Sequence, residues 1–213
     1  MKAIALAAVG AAVAGPVSAD VLYSNFGPGD TYSLDRGWTL SSGGPLAGDV
    51  WEQAVAFTVV GGDYYFDSVD FAVLHNWGPD LVYMDIRSDE NGLPGTVLES
   101  TSASGVTDPF VWAPPMTAGF SGGLVLQEGA TYWLTLRTES TDALASWAFN
   151  VIDDFGLYAQ QLNGQGWQAY YGIPGTDSQR AVFRVNGTLV PAPGVGAMAV
   201  AACGLAYRRR RVG

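Results

Sequence analysis

Thr131-Tyr132-Trp133-Leu134-Thr135-Leu136-Arg137-Thr138 has the alternating pattern of a half-buried β-strand. Its apolar residues recur at every second position, and β-branched and aromatic types dominate the segment. Gly129-Ala130 supplies a turn directly before it. We therefore expect Tyr132, Leu134 and Leu136 to face a hydrophobic core.

The same period of two recurs along the chain, and clusters of Gly, Pro, Asn and Asp separate the alternating segments. No segment between residues 20 and 189 has a sustained helical period. Short strands at this spacing predict one all-β domain, an antiparallel β-sandwich of jelly-roll type. The other alternating positions are Trp51, Val55, Phe57 and Val59; Val69, Phe71 and Val73; Val82, Met84 and Ile86; and Phe183 and Val185.

Charge is distributed unevenly along the 213 residues. The whole chain has a formal net charge of −10, but Lys2 and the run Arg208 to Arg211 lie close to its ends. Between residues 20 and 189 there are five Arg, no Lys and all twenty carboxylates, a net charge of −15. Such a domain repels phosphate backbones, so we expect no binding to nucleic acid.

The N-terminus has the three parts of a secretory signal peptide. Lys2 is followed by the apolar run Ala3 to Ala14, and small residues stand at Val17 and Ala19. We expect a signal helix over residues 1–19, cleavage after Ala19, and a mature protein that begins at residue 20.

The C-terminus combines a Pro-containing motif, an apolar segment and a basic end. Val190-Pro191-Ala192-Pro193 precedes a Gly/Ala-rich stretch, and Arg208-Arg209-Arg210-Arg211 follows it. A segment from Leu189 to Tyr207 is marginally long enough to cross a bilayer, and four Arg favour a cytoplasmic end. Residues 190–213 are therefore predicted to form a sorting tail with a short transmembrane helix, either removed after export or kept as an anchor.

This order of features resembles the sorting tail of PEP-CTERM proteins. The resemblance implies that a membrane-embedded exosortase cuts near the Pro motif and delivers the protein to the cell surface or matrix. The family motif has Glu between the two prolines, and this chain has Ala192 there.

Most of the segment from Val21 to Gly187 resembles the choice-of-anchor domains of bacterial surface proteins, the R type in particular. The resemblance implies a surface location and brings no catalytic residues with it. The segments that carry it are Asn25-Phe26-Gly27-Pro28-Gly29-Asp30, Gly92-Leu93-Pro94-Gly95-Thr96-Val97-Leu98-Glu99 and Gly129-Ala130-Thr131-Tyr132-Trp133-Leu134.

Signals for catalysis or metal binding are weak. Ser121 lies in a G-x-S-x-G pattern, but a strand-like run follows it where the nucleophile elbow requires a helix. One His, His75, and one Cys exclude most transition-metal sites. Asp85, Asp89 and Glu90 offer hard oxygen ligands for Ca²⁺, although solvated turn residues explain them as well.

Exposed aromatic side chains are the remaining candidates for ligand binding. Trp77, Trp112, Trp147 and Trp167 lie near predicted loops or strand ends, where a ring could stack on a sugar. Core packing is the competing interpretation for each of them.

These features predict an exported, non-catalytic protein of the cell envelope or extracellular matrix, with a structural or adhesive role and no cofactor. Its expected partners are an exosortase-like enzyme and, through the tail, the membrane. The alternatives are a carbohydrate-binding module for matrix polysaccharide and, less favoured, a surface glycosidase that uses a pair of carboxylates.

Overall fold

The computed structural model describes residues 19–45, 48–105, 110–112, 114–139, 141–174 and 179–191. Within these ranges the chain forms antiparallel strands and no helix. The predicted signal segment before residue 19 and the predicted sorting tail after residue 191 lie outside the described residues. No helix in the described part is long and apolar enough to span a bilayer.

The strands form two antiparallel sheets. The five-stranded sheet contains β1 (Asp20–Ser24), β4 (Tyr64–Phe71), β8 (Met116–Gly119), β9 (Val125–Leu126) and β14 (Phe183–Leu189). The nine-stranded sheet contains β2 (Gly37–Gly44), β3 (Gly48–Thr58), β5 (Val73–Trp77), β6 (Val82–Asp89), β7 (Pro94–Ala103), β10 (Thr131–Arg137), β11 (Leu144–Ala148), β12 (Leu157–Leu162) and β13 (Trp167–Tyr171).

One hydrophobic core is shared by both sheets, which is consistent with a β-sandwich. Leu134 and Met84 of the large sheet belong to the same buried cluster as Phe66 and Val185 of the small sheet. The predicted core positions of β10 are confirmed, since Tyr132, Leu134 and Leu136 are all buried.

The large sheet divides at β3. Trp51 pairs with both β2 and β12, whereas Gln53 pairs with both β10 and β12. Because a strand has two edges, β12 occupies one edge of β3, and β2 and β10 follow each other along the other. At the point of divergence the buried Gln53 side chain donates a hydrogen bond to the Thr39 carbonyl (2.9 Å), which links β3 to β2.

The outer face of the large sheet is also covered at its centre. Trp133 and Thr135 are fully buried, although they alternate with the core residues of β10. Trp133 packs with Ala54 and Ala56 beneath the partly buried Trp167. The central strands are therefore buried on both faces, where the alternating pattern predicts burial on only one.

Candidate functional site

A groove of about 670 Å³ lies at one end of the domain. This volume is within the range of small-ligand sites. A second depression of about 430 Å³ shares Leu34, Asp35 and Arg36 with it. Four of the ten residues that line the larger groove are aromatic. The larger groove is lined by Leu34, Asp35, Arg36, Gly37, Trp38, Leu74, Phe110, Trp112, Ser146 and Phe149.

Phe110 and Trp112 are placed by the edge of β5. The Phe110 amide donates a hydrogen bond to the His75 carbonyl (2.8 Å), and Trp112 forms an isolated antiparallel bridge with Leu74. Trp112 packs edge-on against Tyr32, with ring centroids 6.3 Å apart. Phe110 is 72% exposed. Backbone pairing thus fixes the segment while its aromatic side chains stay accessible to a ligand.

A charged pair stands beside these rings. The Asp35 carboxylate and the Arg36 guanidinium are 3.9 Å apart, and both side chains are largely exposed. The Ser33 hydroxyl donates a 2.6 Å hydrogen bond to Asp35 and lowers the pKa of that carboxyl. Asp35 therefore stays ionised at neutral pH and acts as a hydrogen-bond acceptor.

The smaller depression adds the uncharged Gln179 side chain. The Asn150 amide, which also lines it, is buried and already bonded to the backbone of Arg180, Ile152 and Asp154. Flat aromatic faces beside fixed donors and acceptors suit a ligand that has both C–H faces and hydroxyl groups. The same depression contains Asp153, which is a second carboxylate beside Asp35. An anionic ligand is disfavoured there.

Of the four candidate tryptophans, the structure brings only Trp112 into this groove among the described residues. For Trp147 the structure contradicts the prediction of a ligand contact. It is fully buried, and its indole N–H donates to the Val182 carbonyl (2.8 Å). Trp77 is 49% exposed at the end of β5, and Trp167 covers the outer face of the large sheet.

The three candidate Ca²⁺ ligands are held by separate partners. The Asp85 carboxylate contacts Arg87 (3.1 Å) and Arg137 (2.5 Å), and also accepts from the Ser100 hydroxyl (2.7 Å). Asp89 accepts from the Trp133 indole (2.8 Å), and Glu90 from the backbone and hydroxyl of Thr96. Within the described residues, no group of three or more His, Cys, Asp or Glu is arranged to hold a metal ion.

Glu52 lies on the outer face of the large sheet, where Asp85 and the two arginines that contact Asp85 act on its charge. Burial raises the pKa of Glu52, and the charges of Arg137 and Arg87 oppose that rise. Sequence reasoning did not single out Glu52, because its burial depends on β12 and β13, which are about a hundred residues away.

Ser121 and His75 have local partners. The Ser121 backbone N–H and hydroxyl both donate to the Glu99 carboxylate. His75 Nε2 lies 2.7 Å from the Gly78 carbonyl oxygen. Each contact ties together neighbouring segments, and neither residue lines the groove described above.

The predicted processing positions lie at one end of the domain, where the structure describes them. Ala19 precedes β1, and Asp20 pairs with Gly187 of β14. The Val190 N–H donates to the Asp63 carbonyl (2.8 Å), and Pro191 follows it. Ala192, Pro193, the arginines at positions 208–211 and the rest of the tail lie outside the described residues.

Most of the residues that line the groove could not be predicted from the sequence. Leu34, Asp35, Arg36 and Phe110 come from two segments far apart in the chain, and neither segment carries a motif. The run Phe110-Val111-Trp112, next to Pro114-Pro115, was the one available signal, because an apolar run in a Pro-rich loop is poorly placed for burial.

Comparison with known proteins does not place the chain in a family. No family model matches it, and neither does any curated protein.

Proposed function

We propose that this chain is an exported, non-catalytic protein of the cell surface or extracellular matrix, with an adhesive or structural role. An exosortase-like enzyme processes its C-terminal tail, or the tail anchors it in the membrane. One observation carries the proposal: Asp20 and Val190, where the predicted signal segment and tail join the domain, lie at the opposite end of the domain from the aromatic groove.

The five-stranded sheet defines these two ends. Asp20 pairs with Gly187, so the first residue after the signal segment lies beside the last residues of β14. The groove lies at the other end of β14, because Phe149, which lines it, forms a bridge with Ala181. Seven residues of β14 separate the two ends by about 20 Å, at about 3.3 Å per residue.

This placement suits a tethered protein. Both membrane-directed segments leave from one end, so the domain can fold on one side of the bilayer while either segment remains inserted. The groove then faces away from the membrane, towards material outside the cell. The proposal includes a jelly-roll arrangement of the strands, a signal helix over residues 1–19 and a short transmembrane helix within residues 190–213.

Mass spectrometry of the protein recovered from its own host tests the export and sorting. The expected mature protein begins at Asp20 and lacks Arg208 to Arg211. Replacing Pro191 and Pro193 together with Ala should leave the basic end in place if the motif is the processing signal. Mature wild-type protein that retains Arg208 to Arg211 contradicts proteolytic sorting and favours the permanent anchor.

A carbohydrate-binding function is the second candidate, and the exposed ring of Phe110 beside the half-buried ring of Trp112 favours it. Aromatic faces beside Asp35 and Arg36 can stack on sugar rings and accept or donate hydrogen bonds to hydroxyl groups. Because the domain carries a net charge of −15, we propose a neutral matrix polysaccharide as the ligand.

The groove is less suited to glycoside hydrolysis. That reaction requires one carboxylic acid with a raised pKa beside an ionised partner. The pKa of Asp35 is lowered, so Asp35 is a poor proton donor at neutral pH. Glu52, whose pKa is raised, lies outside the groove, near Arg87 and Arg137. Binding without turnover is therefore the better account of the groove.

We expect Trp112→Ala to weaken binding to the host's neutral polysaccharide at least tenfold, or about 1.4 kcal/mol, because the half-buried ring loses its stacking face. Phe110→Ala should weaken it in the same direction, and its exposure leaves the core intact. Trp77→Ala is the matched control, since Trp77 lies outside the groove. Isothermal titration and a glycan array measure the effect; no binding to any glycan, including the host's own, would rule this function out.

A further inference from the structure

β14 is held along both of its edges by strands that run in the opposite direction. It pairs with β1 at four positions and with β4 at seven, and both pairings are antiparallel. Its core face is covered as well, since Phe183 and Val185 are fully buried. Leu189 is the last residue of β14, and the Pro motif of the predicted tail begins at the next residue. A pull on the tail is therefore applied first to β14.

Both neighbours of β14 lead towards the aromatic groove. The chain leaves β1 at Ser24 and reaches the wall of the groove at Leu34. It leaves β4 at Phe71 and continues into β5, whose Leu74 lines the groove. Tension between a ligand in the groove and the tail therefore pulls β1 and β4 in one direction and β14 in the other.

This arrangement loads the two ladders of β14 in shear. The N–H···O=C bonds of antiparallel strands lie across the strand direction, so a pull along the strands strains all of them at the same time. A pull between Val21 and Leu189 acts differently. Both residues lie near the same end of the β1–β14 ladder, so its bonds then open one after another. We therefore expect the ladder to resist the first direction of force better than the second.

The buried Asn25 reinforces β14 at the end that faces the groove. Its side chain donates a hydrogen bond to the Ala181 carbonyl (2.9 Å) and accepts one from the Phe183 N–H (2.7 Å). Its backbone N–H donates to the Phe183 carbonyl (3.1 Å). A residue that directly follows β1 thus clamps the beginning of β14, on the path from the strand to the groove.

Side chains on the outer face of the small sheet link β14 to β4. The Asn186 amide donates to the Ser68 hydroxyl (3.1 Å) and to the Asp70 carboxylate (3.2 Å). The Thr188 hydroxyl donates to the Asp67 carboxylate (2.8 Å). These three bonds end on β4 and not on β1, so they oppose the sliding of β14 past β4 and do not oppose the peeling of β1.

We propose that β14 is the load-bearing strand of the domain, and that a further function of this fold is to hold mechanical tension between a ligand in the groove and an anchored C-terminus. The source of the tension rests on the proposed function, because an adhesive surface protein is pulled between its ligand and its cell. The resistance to that tension rests on the direction and pairing of β14 alone.

Single-molecule force spectroscopy of the purified full chain tests the load-bearing role. In a Cys203→Ser background, one handle is attached at Leu189→Cys and the other at either Leu34→Cys or Val21→Cys, three positions that are exposed. At one loading rate, we expect the handles at 34 and 189 to require at least about twofold more force than those at 21 and 189, because shear strains the ladder bonds together. Equal unfolding forces for the two attachments overturn the proposal.

Two substitutions on β14 test whether this strand carries the load. Asn186→Ala and Thr188→Val each remove side-chain bonds to β4, so both should lower the force measured between positions 34 and 189. The force that peels β1, measured between positions 21 and 189, should stay unchanged. Thr96→Val is the matched control, since it removes a hydroxyl bond to Glu90 within the β6–β7 turn. An effect of Thr188→Val no larger than that of Thr96→Val contradicts the proposal.

The force measurement is independent of export, of tail processing and of ligand binding, because the handles replace both the ligand and the anchor. Its failure therefore differs from a failure of the proposed function, which mass spectrometry of the mature protein and the glycan array decide. Equal forces in a protein that is sorted and binds glycan would show that β14 does not carry the tension.

Discussion

Replacing Arg180 with Met is expected to lower the free energy of unfolding by about 3–5 kcal/mol, the usual cost of removing one partner of a buried ion pair. Arg180 is 5% exposed, and its guanidinium lies 3.1 Å from the Asp154 carboxylate. It also donates to the Tyr23 hydroxyl (2.9 Å) and to the Ala56 carbonyl. These contacts join β1 of the small sheet to β3 of the large sheet, so the loss affects how the two sheets pack.

The pH dependence of the free energy of unfolding should also change in Arg180→Met. Burial alone would raise the pKa of Asp154, but Arg180 and the Tyr23 hydroxyl leave it below its ordinary value. A lowered pKa stabilises the fold above the unfolded-state pKa of Asp, and this stabilisation disappears as the pH falls through the folded-state pKa. In Arg180→Met the acid-induced loss of stability should therefore be shallower.

Urea denaturation at several pH values measures both effects. Arg36→Met is the matched control: its partner Asp35 is exposed, and a surface pair contributes about 0–1 kcal/mol. A double-mutant cycle with Asp154→Asn isolates the interaction between Arg180 and Asp154. Equal losses for Arg180→Met and Arg36→Met would show that the buried pair does not stabilise the fold.

The strands were predictable from the sequence because each depends on its own residues. Alternation in Val82, Met84 and Ile86 predicts one buried face, and all three side chains are buried. The burial of Trp133 was not predictable. It arises from Trp167, which is distant in the chain and crosses the outer face only once the whole sheet has formed.

The turn after β6 also differs, by a few residues, between the sequence prediction and the structure. The sequence Gly92-Leu93-Pro94-Gly95 predicts a turn followed by a strand from Thr96. The structure places positive φ angles at Asn91 (59°) and Gly92 (80°), and β7 begins at Pro94. Gly95 has another role: a Cβ there would lie 2.3 Å from the Glu90 side chain.

The candidate site was predictable only in part. Trp112 was a candidate from its position near a predicted loop or strand end, but its neighbours Leu34 and Arg36 come from a segment that no local pattern connects with it. Trp147 was misjudged because it stands near the end of a short strand. The sequence does not show that β11 lies between β2 and β5, with Trp147 facing the core that the two sheets share.

Trp147→Ala is expected to lower the free energy of unfolding by about 3–5 kcal/mol, because a fully buried indole leaves a large cavity. Trp147→Phe keeps much of that volume but leaves the Val182 carbonyl without its donor, so its cost should be about 1–3 kcal/mol. Trp77→Ala should change stability by about 0.5 kcal/mol or less, since this ring is half exposed. Urea denaturation of the three variants measures these losses in the free energy of unfolding. Equal losses for Trp147→Ala and Trp77→Ala would contradict the assignment of Trp147 to the core.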